Sequence, residues 1–306
     1  MAERMGGNLY QIHYLRFKDP LHAPAKYVLQ TAKTWSVLVR ERPDAVFVQN
    51  PPIFCVQVVD MYCRLSGARF IIDSHTGAFL SPRWRWALPV HRFLSRRALS
   101  TLVTNEYLSR LVKGWGAPSL VIRDVPAALG QGRPFPVKDG FVITVVNSFS
   151  WDEPLEEVLE AAHGLPGIVF YVTGNPNARE RAFQLKPPGN VSFTGFLPDE
   201  DYIGLLRASH AIMALTTRDH TMQRGACEAL SLGKPVITSD WEMLREYFSR
   251  GTVYVKPSPQ SIRDGILEMR RKWQSKIEEI QELKEEREEE WQQKKSTLLA
   301  LLEDVR

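Results

Sequence analysis

The chain has 306 residues, 44% of them apolar and 24% charged, which is the composition of an ordinary globular protein with enough length for two domains, each burying its own core. The formal net charge of +4 is too small over this length to argue for a nucleic-acid partner, and no apolar stretch has the length of a membrane span or a secretory leader. Three cysteines, Cys55, Cys63 and Cys227, have no metal-ligand spacing and cannot all pair, which fits a reduced, cytoplasmic setting.

Leu9 to Leu15 alternates like a strand, and Pro24 to Arg42 carries Val28, Leu29, Ala32, Trp35, Leu38 and Val39 at helical spacing. Ala45 to Val48 reads as a strand stopped by Asn50, Pro51 and Pro52; a helix over Phe54 to Leu65 ends at Gly67, and Arg69 to Asp73 is the next strand. Strand, helix and strand with short connections imply a parallel sheet covered on both faces. The segment SHTGAF is expected as a loop at its carboxyl edge, where such sheets bind ligands, so Asp73, His75 and Gly77 are placed where chemistry would be. A loop histidine bonded within its own turn is the other reading of His75.

Residues 81–97, SPRWRWALPVHRFLSRR, interleave arginines with aromatics. Such a segment can lie in a membrane interface, with aromatics at headgroup depth and arginines on lipid phosphates, which makes Arg83, Trp84, Arg85, Trp86, Arg96 and Arg97 a candidate membrane or acceptor surface. The competing reading is a helix with its aromatics in the core; RNA binding is a weaker third, since no nucleic-acid module accompanies the patch. Strand 101–104, helix 106–115 and strand 120–123 follow. Gly- and Pro-rich residues 127–140 mark a domain boundary, so the expected division is 1–128, 129–258 and a helical tail over 259–306.

A second alternating series begins at once: strand 141–146, helix 154–162, strand 168–173 ending at Gly174, strand 191–194, helix 199–208 and strand 211–215. Asp199, Glu200 and Asp201 read as a helix start with Asp199 as N-cap, not as a metal site. Residues 216–240, TTRDHTMQRGACEALSLGKPVITSD, then form a loop, a short helix opened by Arg224 and Gly225 and closed by Gly233 and Pro235, and strand 236–238. A helix entered through small residues offers backbone N–H groups and a positive dipole end to a diphosphate. Glu228, one turn in, could accept hydrogen bonds from a ribose or sugar hydroxyl pair; equally, Arg224 and Glu228 could form an i, i+4 surface pair. Helix 241–248 completes a second doubly wound domain. The two domains would then leave a cleft between their carboxyl edges. Residues 261–306 read as one long helix with an almost wholly charged middle, solvated or in a short coiled coil, whose leucines 298, 299, 301 and 302 dock on the first domain or on a partner.

Several segments resemble known glycosyltransferases. FVQNPP, FIIDSHTGAF, LVTNEYLSRLVKGWGAPSLVIRDVPA, SFSWDEPLEEVLEAA and GACEALSLGKPVITSD, in that order within residues 8–255, resemble segments of GT-B enzymes of the chitobiosyldiphosphodolichol β-mannosyltransferase family and, more distantly, of family 4. The resemblance implies a GT-B fold of two Rossmann-like domains and a GDP- or UDP-linked sugar donor, mannose first, held by the second domain. It also implies a lipid-linked or glycan acceptor at the cytoplasmic face of the membrane, and no bound metal or other cofactor. It places Arg218, Arg224, Thr221 and the amides up to Gly225 on the departing diphosphate, Glu228 on the ribose, and Gly174 and Ser148 beside the donor. His75 becomes the base and Asp73 its orienter. Three departures stand out. His220 occupies the position of the second glutamate of the family 4 motif. Asn147, Ser148, Phe149 and Glu153 stand where family 4 has a basic pair. The first strand, glycine-rich loop and helix of the relatives have no counterpart before Leu9. These departures motivate an alternative: a glycosyltransferase-like binder of sugar nucleotides, or the partner subunit of an active enzyme, with the terminal helix a route to self- or partner association.

Overall fold

The structure is a computed structural model and describes residues 1–14, 23–175 and 187–303. Its contacts divide the chain into two compact units: Met1–Val125 together with Gln292–Arg306, and Pro126–Trp291.

In the first unit the strands β1 (Ala45–Asn50), β2 (Arg69–Ser74), β3 (Ser100–Val103) and β4 (Ser119–Val121) form a parallel sheet in that order, in register Val48 to Ile72 and Ile72 to Thr101. After a short α1 (Ala2–Met5), the helices are α2 (Ala23–Glu41), α3 (Ile53–Ser66), α4 (Thr76–Leu80), α5 (Leu88–Ser95) and α6 (Glu106–Gly114). Each boundary has a local cause: Gly67 caps α3 in the left-handed conformation, and the Asn105 side chain accepts the Leu108 amide to start α6. Leu38, Val56, Val59, Phe70 and Ile72 form one core cluster.

In the second unit the strands are β5 (Phe141–Val145), β6 (Ile168–Thr173), β7 (Val191–Gly195), β8 (Ala211–Ala214), β9 (Val236–Ser239) and β10 (Thr252–Val255). The sheet order is β10-β9-β8-β5-β6-β7, every pair parallel. The chain therefore winds outward from β5 in one direction and from β8 in the other, so the order reverses between these two strands, where an open parallel sheet leaves its ligand crevice. β6, β8 and β9 are buried along their whole length, which is why they read as unbroken small or apolar runs. The helices are α7 (Leu155–Ala162), α8 (Asp199–Ala208), α9 (Arg224–Leu232), α10 (Glu242–Tyr247), α11 (Pro259–Arg271) and α12 (Trp273–Glu303).

Several sequence expectations are corrected. Residues 9–14 form no strand, and Leu15 lies outside the described residues. SHTGAF is mostly the helix α4, with His75 at its N-cap position. Asp199 is the first residue of α8, with Pro198 at the cap. β10, an edge strand, was missed by the sequence reading. The terminal helix is two helices: Lys272 leaves helical geometry, which lets the Trp273 indole N–H donate to the His210 carbonyl at 2.8 Å. Nor is its charged middle wholly solvated, since Leu283 and Trp291 are buried. No helix among the described residues is long and apolar enough to cross a membrane.

Candidate active site

At the switch point of the second sheet the loops after β5, β6 and β8 meet the amino end of α9. Two glycines make this possible. A Cβ on Gly174 would lie 2.1 Å from the Asn147 carbonyl oxygen, and one on Gly225 would lie 2.6 Å from the Val146 Cβ. Gly174 also holds φ at +96°, open to glycine alone at low cost. The first turn of α9 is thereby pressed against the loop leaving β5.

That loop is cross-braced. Glu153 accepts the Ser148 amide at 2.8 Å and the Ser148 hydroxyl at 3.0 Å, and the Ser150 amide at 3.0 Å. Asn147 accepts the Phe149 amide at 2.7 Å, holding Phe149 at φ +59°. Buried Asp152 ties this loop to the one after β8: its side chain accepts the Thr216 hydroxyl at 3.1 Å and its carbonyl the Thr217 amide at 2.7 Å. Thr216 in turn donates its amide to Ser239 and accepts from the Trp241 indole N–H. Arg218 lies over the exposed Trp151 ring, 5.6 Å from its centre. His220 sits at φ +55°, its imidazole 3.7 Å from Asp219, while the Thr221 hydroxyl donates to the Asp219 carbonyl.

Glu228 is 8% exposed. Arg224 donates to one of its oxygens at 2.8 Å and the Tyr202 hydroxyl to the other at 2.6 Å. The pair with Arg224 is real, but it is not the surface pair that spacing alone allows, because the carboxylate is buried and only the guanidinium is exposed. Each carboxylate oxygen has a second acceptor site, so both bonds leave capacity for a hydroxyl. Burial, with the Glu228 charge beside it, pushes the Tyr202 phenol pKa well up, so it stays a proton donor.

In the first unit Asp73 is the last residue but one of β2, and His75 follows Ser74 at the N-cap of α4, its amide donating to the Asn50 carbonyl at 2.9 Å. The His75 Nε2 stands 3.8 Å from Asp73, near enough for charge coupling and too far for a hydrogen bond. Burial pushes the Asp73 carboxyl pKa up, with His75 opposing it. Thr76 and Thr104 share a hydrogen bond of 3.2 Å across the same edge.

The basic, aromatic segment is divided by the fold. Trp84 is 9% exposed and packs edge-on against Tyr27 and Phe54, so it is core, a correction to its expected place on the surface. Arg83 donates to the Tyr27 hydroxyl at 3.0 Å, Arg96 to the Trp115 carbonyl and Arg97 to Asp60 at 2.6 Å. All five arginines of the segment and Trp86 are nonetheless exposed.

Sequence reading missed Tyr202, Asp152 and Ser239. Their partners lie 26, 64 and 23 positions away in the chain, and no local pattern announces such pairs.

Two parallel sheets, one with a reversal of strand order and a glycine-cradled helix end at it, define a doubly wound, Rossmann-like architecture. The family profile described as glycosyl transferases group 1 matches residues 133–295, just over half the chain. The protein belongs to the group 1 glycosyl transferases. Its fold is GT-B. The solved structures it resembles include HepE from Anabaena in complex with UDP and glucose (16% identity, 92% of this chain and 83% of that one, TM-score 0.67). Sucrose-phosphate synthase from Thermosynechococcus elongatus (14%, 94% and 81%, TM-score 0.65) and α,α-trehalose 6-phosphate synthase from Burkholderia multivorans (14%, 95% and 78%, TM-score 0.64) are similar too. No curated protein matches the sequence.

Proposed function

We propose that the protein transfers a hexosyl group, mannose first, from a GDP- or UDP-linked donor to a lipid-linked or glycan acceptor at the cytoplasmic face of the membrane, without a metal. The observation that carries this reading is the start of α9 pressed onto the β5 loop, with Glu228 one turn further on and fixed by two donors. Helix N-terminal amides, Thr221, Arg218 and Arg224 neutralise the diphosphate as the bond from the anomeric carbon to its oxygen breaks. Glu228 accepts the ribose hydroxyls, and Ser148 and Gly174 line the donor side. The acceptor oxygen forms the new bond to the anomeric carbon and gives its proton to His75, with Asp73 beside it as orienter. Family membership and the likeness to structures determined with UDP and glucose support the donor class.

The test is nucleotide release from a panel of sugar nucleotides with a lipid-linked or oligosaccharide acceptor. One donor should turn over, Glu228→Ala should raise its KM, and His75→Ala should lower kcat by about two orders of magnitude or more. His220, at the position of the family 4 glutamate, favours a second reading, a binder without transfer. Nucleotide binding without turnover of any donor would establish that reading instead.

A further inference from the structure

Five arginines and no carboxylate lie in residues 82–97, although the whole chain is nearly balanced, with 39 basic and 35 acidic residues. The 3-10 turn of residues 82–87 and α5 present one outward stripe: Arg85, Trp86, Pro89, Arg92, Phe93 and Arg96, all exposed. α3 lies beside it, its outward face formed by Met61, Arg64 and Leu65. The two are joined where Arg64 and Arg97 flank the Phe93 ring at 5.9 and 5.8 Å. Asp60, the single acid of α3, is buried below and held by both, at 2.8 Å from Arg64 and 2.6 Å from Arg97.

The surface therefore combines two features that seldom coincide. Its apolar side chains stand out from the fold: Leu65 is 74% exposed, Trp86 59%, Phe93 52% and Met61 50%. Around them the charges are of one sign. An isologous contact with a second copy would set these arginines against their own copies, which is unfavourable. Nucleic acid would meet the arginines but leave the aliphatic Met61 and Leu65 without a role. A bilayer rich in anionic lipid satisfies both, with apolar tips at the acyl boundary and guanidinium groups on lipid phosphates.

We infer that this face of α3, α5 and the turn before α5 docks on an anionic lipid surface, with Trp86, Phe93, Met61 and Leu65 entering the interface. Arg83 and Trp84 take no part, being committed to Tyr27 and the core. The inference deepens the proposed membrane-face reading and rests on it for its biological sense, but its physical test does not need turnover.

Flotation with phosphatidylglycerol-containing vesicles, beside pure phosphatidylcholine vesicles, decides it. Wild-type protein should bind the anionic vesicles and lose that binding as salt rises. Arg85→Gln and Arg92→Gln should each lower the partition coefficient about fivefold, and Trp86→Ser or Phe93→Ser should lower it roughly tenfold. Arg271→Gln, an exposed arginine of the other unit, should leave it unchanged. Binding that ignores Arg85 and Arg92, or falls equally with Arg271→Gln, would overturn the inference. So would wild-type protein that does not float, or that self-associates in solution through this face until Leu65→Asp makes it monomeric. Nucleotide release measured without vesicles separates the two proposals. Turnover without flotation removes the docking surface alone, whereas patch-dependent flotation without turnover keeps it and removes the transfer reading.

Discussion

His91 illustrates how a side chain outside the proposed chemistry can set the protein's response to acid. It is almost wholly buried between Phe79 and Trp115, its Nε2 2.9 Å from the Ser74 hydroxyl and its Nδ1 without a hydrogen-bond partner. Burial lowers its pKa from 6.5 to about 4. The unfolded chain therefore binds a proton that the folded one refuses, and stability present above pH 6.5 is lost as pH falls towards 4. The expected size is about 3 kcal/mol. Urea denaturation at stepped pH should show the wild type losing about that much relative to His91→Gln across this span, and parallel curves would remove His91 as the cause. Asp73 and His75 in the first unit, and Arg224 and Glu228 in the second, were singled out from the sequence because chemistry-bearing side chains at strand and helix ends are rare. Tyr202 was not, because a tyrosine on an amphipathic helix looks like any core residue until the fold brings Glu228 to it. Trp84 misled for the converse reason: a tryptophan among arginines carries no mark of which way it will face.

At the scale of elements, α9 works through its approach to β5. Gly225 has no room for a side chain against Val146, so Gly225→Ala should destabilise by roughly 1–3 kcal/mol and weaken nucleotide binding by tilting the helix start. Val146→Gly in the same chain, which removes the clashing Cβ, should recover most of the binding loss, as read by titration with a nucleoside diphosphate. A failure of the second change to rescue binding would show that the contact does not set the helix end. The strands and helices of both sheets were legible because parallel strands buried on two faces read as apolar runs between punctuating glycines and prolines. β10 escaped notice as a four-residue edge strand. The break at Lys272 escaped because it goes with the docking of Trp273 on His210, 63 positions earlier.

For the whole molecule, the last helix matters most. α12 packs Ile280 and Leu283 into the cluster that holds Leu244 and Phe248, and beyond Trp291 it belongs by its contacts to the first unit. Leu298, in that last part, is fully buried. Leu298→Ala should cost about 2–5 kcal/mol, and hydrogen exchange should accelerate in β1–β4 before it does in β5–β10. Equal acceleration in both sheets would show that the helix end does not support the first unit in particular. The amino-acid order by itself determined two series of alternating strands and helices, the place of their ends, and the chemistry-bearing residues there, since periodicity, capping and chain punctuation act over a few positions. Only the tertiary structure decided the order of strands in the second sheet, the partners of Glu228, the burial of Trp84 and the assignment of the last helix. Each of these depends on which distant segments exclude water together, and local sequence does not encode that.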